Sequence, residues 1–407
     1  MTAYLKSNHG DGTCEAPSQP PAMAGIEILN KMPAQNKTTG GDEPCCGPPP
    51  GPPAGPDEKP GYRIFSFVES FVDTPVGRVP RIKSRWDRSD WWGTIMARVG
   101  FARDRYRVAP GIYALGRPTA ASPVLVTGNY KLTFDTLRKG QSGLDAWLLV
   151  LDTRGINVWC AAGKGTFGTD ELVARIRAVG LGRLVEHRQL LLPQLGATGV
   201  CAISVVKVTG FKVIWGPVRA REIIPFLKNN AAADATMRGV TFTLAERAVL
   251  VPVEFYNFRK VLLGALLAGF LLSGIGSPLF DPGAAWSRGL NVAAALLMGM
   301  LAGCLAMPLL LPWLPGRAFA VKGAVTGIVA AVLVAWMAAG GALEVLALML
   351  LTTAVSSYLS MTFTGSTPYT SPTGVEKEMR TAMPLQALAL LAATAIWITA
   401  GVVNGGG

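Results

Sequence analysis

Five apolar spans lie near the carboxyl end, at about 261–279, 290–311, 318–339, 343–363 and 384–403. Each is about long enough to cross a hydrocarbon layer of roughly 30 Å as a helix. Inside lipid every backbone amide must find its partner within the chain, which leaves little room for anything but a helical bundle. Small residues such as Gly264, Gly299, Gly303 and Gly327 suit close contact between such helices. Basic residues sort by side. Arg247, Arg259 and Lys260 precede the first span, Arg317 and Lys322 separate the second from the third, and Lys377 and Arg380 precede the fifth. Arg288, between the first two spans, is the main exception. The positive-inside rule then places residues 1–260 in the cytoplasm and the carboxyl terminus outside, which five spans allow.

The remaining composition fits a membrane protein with a soluble part: 407 residues, half of them hydrophobic, with a formal net charge of +12. Six cysteines, at 14, 45, 46, 160, 201 and 304, show no disulfide framework, so the soluble side reads as reduced and intracellular. Residues 1–60 are polar and rich in proline and glycine, with no hydrophobic period and no secretory core, and read as a disordered tail. Its Cys45-Cys46 pair could meet a thiophilic metal such as Hg(II); an incidental pair in a linker is the simpler reading. Residues 61–110 interleave basic and aromatic side chains, among them Arg85, Trp86, Arg88, Trp91, Trp92, Arg98, Arg103, Tyr106 and Arg107. Nucleic acid, anionic lipid or an acidic partner could use that mixture. With membrane spans in the same chain, membrane surface or partner docking is preferred and no nucleic-acid partner is expected. The plain alternative is an ordered extension packed on the next domain.

Between residues 111 and 230 strands and helices alternate. Residues 124–127, 146–152, 156–160, 183–187 and 211–215 read as extended, and 131–139, 171–179 and 219–227 as helices, the second capped by Thr169 or Asp170. Alternation of this kind predicts an α/β sheet with helices on its faces. The turns Thr127-Gly128-Asn129, Gly163-Lys164-Gly165 and Gly196-Ala197-Thr198-Gly199 would converge at one edge of it, where ligands bind in open α/β sheets. Cys160 sits just before the second turn. A phosphate loop is excluded, because Lys164 is followed by Gly165 and not by a hydroxyl residue. Zinc lacks a second ligand at a usual spacing, and nucleophilic catalysis would find only His9 and His187 as imidazole bases. On residue type alone, Cys160 is a small hydrophobe in a core.

The stretch Asn157-Val158-Trp159-Cys160-Ala161-Ala162-Gly163-Lys164-Gly165-Thr166-Phe167 closely resembles the cap-helix motif of the corrinoid protein in the mercury-methylation pair. The resemblance takes in Pro123-Val124-Leu125-Val126-Thr127-Gly128-Asn129-Tyr130-Lys131-Leu132-Thr133-Phe134-Asp135 and covers roughly residues 110–403. The wider corrinoid domain is shared with the large subunit of the corrinoid iron–sulfur protein of acetyl-CoA synthesis, whose branch lacks the cysteine. The resemblance implies a fold: α/β with a Rossmann-like corrinoid-binding domain, plus an all-α transmembrane domain of five helices. It implies base-off cobalamin with Cys160 as the lower axial ligand of cobalt. Thr127, Gly128, Asn129, Thr133, residues 157–167, Gly196 and Thr198 would line the cofactor. The Asp-x-His-x-x-Gly signature of other cobalamin proteins is absent, and His187, in Glu186-His187-Arg188, does not match it.

The implied activity is methyl transfer from a folate-linked donor, through cobalt, to Hg(II), in the cytoplasmic (inner) membrane. A ferredoxin-like partner with two four-iron clusters would restore the reduced cobalt. Alternatives are a corrinoid methyl carrier of acetyl-CoA-type metabolism with another acceptor, and a non-catalytic membrane corrinoid-binding protein. The expected domains are a tail (1–60), a basic and aromatic extension (61–110), the corrinoid domain (111–250) and the membrane domain (251–407). The hydroxyl-rich loop 362–379 resembles a segment of the same family and either faces the corrinoid domain or caps two helices in solvent. Cys304, mid-span, reads as a packing residue.

Overall fold

The computed structural model describes residues 50–276, 279–338, 340–370 and 372–404. Cys14, Cys45, Cys46, His9 and most of the expected tail lie outside the described residues. Residues 50–60 depart from the expectation of disorder. The Gly51 N–H donates to the Arg154 carbonyl at 3.0 Å and the Ala54 N–H to Asp152 Oδ2 at 2.6 Å. Arg107 reaches the Pro52 carbonyl at 2.7 Å and Glu58 at 2.9 Å. Proline fixes φ, so such a segment loses little entropy when it docks; composition alone reads it as unfolded.

Seven strands make one mixed sheet: β1 (Val68–Thr74), β2 (Gly77–Ile82), β3 (Gly111–Leu115), β4 (Val124–Gly128), β5 (Ala146–Leu151), β6 (Gln189–Leu192) and β7 (Lys212–Trp215). Their order is β1-β2-β3-β5-β4-β6-β7. The four strands β5, β4, β6 and β7 run parallel, β3 is antiparallel to β5, and β1 and β2 form a hairpin added beyond β3. β4 and β5 are buried at every position, as strands covered on both faces must be. Successive side chains alternate between the faces. Trp147, Leu149 and Leu151 join one core, while Ala146, Leu148 and Val150 join the other.

Around the sheet run α1 (Arg88–Val99), α2 (Lys131–Gly140), α3 (Val158–Gly163), α4 (Thr169–Ala178), α5 (Leu181–Leu184), α6 (Ala202–Thr209) and α7 (Ile223–Lys228). α2 and α7 cover one face through Phe134, Leu137 and Phe226; α4 and α6 cover the other through Leu172, Ile176 and Val205. Three local expectations change. Residues 158–160 are helical, because the Asn157 side chain caps α3 by accepting the Cys160 N–H. Residues 181–184 are a helical turn that buries Leu181 and Leu184, and the strand begins only at Gln189. Gly168, not Thr169 or Asp170, stands at the cap of α4.

The basic and aromatic stretch is built into this fold. Its β1–β2 hairpin extends the sheet, and α1 meets α2 through a buried ion network. Arg138 has no solvent exposure; it pairs with Asp135 at 2.8 Å and meets Asp90 at 2.7 Å, while Lys131 reaches the same two carboxylates at 2.6 and 3.0 Å. Burial opposes ionisation of Asp90, but Arg138, the Asp87 amide and Lys131 together hold its carboxyl below the usual range. The Trp86 indole donates to the Asp135 carbonyl at 2.9 Å, and Lys139 lies over the Trp86 and Trp91 rings.

After the short α8 (Leu244–Ala248) come α9 (Val251–Ser273), α10 (Pro282–Leu301), α11 (Met307–Leu310), α12 (Phe319–Met337), α13 (Ala342–Thr362) and α14 (Pro372–Asn404). Five helical segments are long and apolar enough to cross a membrane: Leu244–Ser273, Pro282–Leu310, Phe319–Met337, Ala342–Gly365 and Thr373–Val403. Gly299, Gly303 and Gly327 sit against the backbone of α13, where an added Cβ would fall within 3.0 Å of it. Gly264 instead faces open space, so its expected packing role does not hold. Arg288 is no stray charge. It pairs with Glu344 at 2.8 Å and donates to the carbonyls of Ser273 and Trp397. Loop 362–370 is packed rather than bare, with Phe363 buried and the Phe242 ring against both Phe363 and Tyr369.

Candidate cofactor site at the carboxyl edge of the sheet

The adjacent parallel strands β5, β4 and β6 carry the predicted residues at their carboxyl ends, so chain direction alone brings three loops together. Asn129, after β4, is fully buried. Its Oδ1 accepts from the Thr153 N–H, the Thr153 hydroxyl and the Gly155 N–H, and its amide donates to Asp152 at 3.0 Å. With both ends so engaged, Asn129 fixes the 152–155 turn that leads into α3 and has little left for a ligand. Gly128 packs on Thr153 and Gly196 on the Phe167 ring, each leaving no room for a Cβ. These two glycines serve loop-to-loop contact. Ala161, Ala162 and Phe167 are core residues of the same contact.

The residues that remain open are different ones. Cys160 is half-buried, with its Sγ 3.4 Å from Asn157 Nδ2, while Asn157 Oδ1 accepts the Cys160 N–H at 2.9 Å. One carboxamide thus holds both the backbone and the sulfur. Trp159, Gly163, Gly165 and Thr198 are exposed, and Lys164 and Thr166 are half-buried. Cys160 and Asn157 line a narrow cavity with Arg103, Asp104, Tyr130 and Arg154. A larger cavity, of about 390 Å³, opens beside it along the ends of β4, β6 and β7. Thr127, Thr133, Asn157, Val158, Gly216 and Pro217 are among its walls. His187 stands elsewhere. It precedes β6 and meets the Ser122 carbonyl, before β4, at 2.8 Å, so it lies at the amino edge of the sheet.

Sequence reasoning missed Tyr130 and Arg103, which line both cavities. The Tyr130 hydroxyl is buried without a hydrogen-bond partner. Burial pushes its pKa up, against the pull of Arg103 and Arg98, so it stays a proton donor at neutral pH. An unpartnered buried hydroxyl costs about 1–3 kcal/mol. Tyr130→Phe should therefore leave the ligand-free protein as stable or more stable by about 1 kcal/mol, and should weaken ligand binding. Thermal unfolding with and without cobalamin checks both; a less stable ligand-free variant would contradict the reading. No local pattern marks Tyr130, whose significance comes from the turn folded over it.

Residues 102–227 match the family model of the CO dehydrogenase/acetyl-CoA synthase delta subunit. The match contains Arg103, Tyr130, Asn157 and Cys160. The gamma subunit of the acetyl-CoA decarbonylase/synthase complex of Archaeoglobus fulgidus is 33% identical over 130 residues, 31% of this chain and 27% of that one. Its counterpart in Methanopyrus kandleri is 34% identical over 128 residues, again 31% and 27%. The corrinoid/iron-sulfur protein large subunit of Moorella thermoacetica is 31% identical over 130 residues, 31% and 28%. The chain thus spans about a quarter of the length of these relatives, and the five helices long and apolar enough to cross a membrane fall outside the family match.

Proposed function

We propose that this protein is a membrane-anchored corrinoid-dependent methyltransferase whose acceptor is inorganic Hg(II), with Cys160 as the lower axial ligand of cobalt. The observation that carries this is a thiol at the carboxyl edge of the sheet, beside an unpartnered tyrosine hydroxyl and a cavity, within a domain related to a corrinoid/iron-sulfur protein. The residues fit such a group. A corrin ring already gives cobalt four nitrogen donors, so the protein need add only one axial atom. Among the described residues no group of three His, Cys, Asp or Glu could hold a bare metal ion, whereas a single thiol suffices here.

A bound corrinoid supplies the cobalt that carries the methyl group. The chain does the rest. Asn157 orients the sulfur, and the core contacts of Ala161, Ala162 and Phe167 keep α3 from shifting. Tyr130 offers a hydroxyl, and Thr127 and Thr133 offer two more on the wall of the larger cavity. A thiolate is a soft, strong donor, and Hg(II) is an electrophile, so sulfur ligation suits an acceptor that takes an electron-rich methyl. A folate-linked donor and a ferredoxin-like partner with two four-iron clusters complete the proposed cycle. The proposed setting is the cytoplasmic membrane, with the sheet domain inside and the carboxyl terminus outside.

The names of the matched relatives favour a second reading, a methyl carrier of acetyl-CoA-type one-carbon metabolism. Turnover separates the two. Purified protein with cobalamin, a methyl donor and a reductant should form methylmercury from Hg(II). Cobalamin uptake with no methylmercury, and methyl transfer to an acetyl-CoA synthase instead, would favour the second reading.

A further inference from the structure

We propose that this protein binds an anionic phospholipid, its phosphate in the cavity between residues 100–105 and the polar end of α9 and its acyl chain in the adjoining apolar groove. This goes beyond the corrinoid reading and does not depend on it. The cavity measures about 600 Å³ and is walled by Arg103, Arg105, Arg259 and Lys260, against the carboxylates of Asp104 and Glu254. None of the four cations takes part in a salt bridge among the described residues. Arg259 stacks on the Tyr256 ring at 3.5 Å. Guanidinium and ammonium groups not neutralised by a carboxylate suit phosphate oxygens.

The choice of a lipid over a soluble phosphate comes from what lies next door. Phe258 lines this cavity and also a groove of about 300 Å³ between α9, α10, α13 and α14. That groove is apolar, with walls such as Leu262, Leu296, Val355 and Leu390. A cationic cavity that shares the Phe258 wall with an apolar groove fits a molecule with a phosphate head and a hydrocarbon tail. The level agrees as well. Immediately past Lys260, Val261, Leu263 and Leu267 of α9 are bare. On α1, Trp92 and Ile95 are exposed, and Phe101 just beyond it meets Tyr256 edge-on. Tryptophan and tyrosine gather at the headgroup layer.

Native mass spectrometry of the full chain, released from neutral detergent, tests the site with phosphatidylglycerol, phosphatidylcholine and glycerol 3-phosphate as probes. One phosphatidylglycerol should be retained, at least about fivefold more than phosphatidylcholine, given the attraction of each basic residue for an anionic headgroup. The double variant Arg105→Gln/Lys260→Gln should lower that retention about tenfold, while Arg78→Gln, which removes one exposed charge on β2, should leave it unchanged. Both altered residues are exposed, and an unchanged melting temperature confirms the fold. Equal retention of the two lipids, or full retention by the double variant, would overturn the proposal. Displacement of phosphatidylglycerol by an equal concentration of glycerol 3-phosphate would also overturn it, because a soluble phosphate ligand would then be the better occupant.

Discussion

Cys160→Ala should still take up some cobalamin, lose the sulfur-ligated spectrum, and methylate Hg(II) at least about a hundredfold more slowly, equivalent to about 2.7 kcal/mol of barrier. The fold should survive. The side chain is only half-buried, and its Cβ remains to pack against the core it borders. Asn157 still caps α3, because that bond goes to the backbone N–H of residue 160. What disappears is the sulfur. A metal is bound by the thiolate form of a cysteine, and alanine has no atom to take that place. Cys160→His would restore a lower ligand without the donor strength of sulfur and should stay poorly active. Two controls bear on specificity. Cys201, at the start of α6, and Cys304, buried among the long apolar helices, should both tolerate alanine with most activity kept. Absorption spectra of the cobalamin-loaded variants and methylmercury formation are the measurements. Wild-type turnover with an unchanged spectrum in Cys160→Ala would remove the axial role.

Arg138→Ala should have the largest effect on stability, about 3–5 kcal/mol, the usual consequence of breaking a buried ion pair by removing one partner. Among the described residues Arg138 is the largest side chain without solvent contact. Its loss would leave Asp90 and Asp135 facing one ammonium, from Lys131, and would free the Lys83 carbonyl, now bonded at 2.8 Å. For a soluble unit of this size the melting temperature should fall by on the order of 10 °C. Arg138→Lys should recover only part of this, since an ammonium cannot reproduce the forked geometry. By contrast Arg78→Ala, which breaks an exposed pair with Asp73, should shift stability by less than about 1 kcal/mol.

The same network sets an acid limit. The carboxyl of Asp90 is held below its ordinary value of 3.8 in the folded protein. A depressed carboxyl contributes stability that is fully present above the unfolded value and is lost as pH falls through the folded one. The wild-type melting temperature should therefore decline below about pH 4. Because Asp90 loses its guanidinium partner in Arg138→Ala, that decline should be shallower in the variant. A variant melting within about 2 °C of wild type at neutral pH would show that the network contributes little.

Much of the architecture was legible in one dimension. The five apolar helices announce themselves because lipid demands about twenty apolar residues in a row; the third and fourth segments match the expected bounds within about two residues, while the first and fifth begin well before them, at Leu244 and Thr373. β4 and β5 read clearly because a strand covered on both faces is apolar at every position. Other elements were ambiguous. Residues 158–160 are β-prone by type, yet one side-chain cap at Asn157 makes them helical. Residues 50–60 look disordered by composition, yet they dock on the 152–154 turn through bonds to a segment about a hundred positions away.

The sequence by itself determined the two-part plan, an α/β sheet followed by five apolar helices, and the loop on which Cys160 stands. Those features depend on runs of neighbours, whose hydrophobicity and turn chemistry act locally. The tertiary structure decided which polar groups are left over and which are matched. It closed Asn129 into the 152–155 turn, paired Arg288 with Glu344 across 56 positions, and left the Tyr130 hydroxyl buried without a hydrogen-bond partner. A group's partners depend on distances between remote segments, and only the packed chain sets those distances.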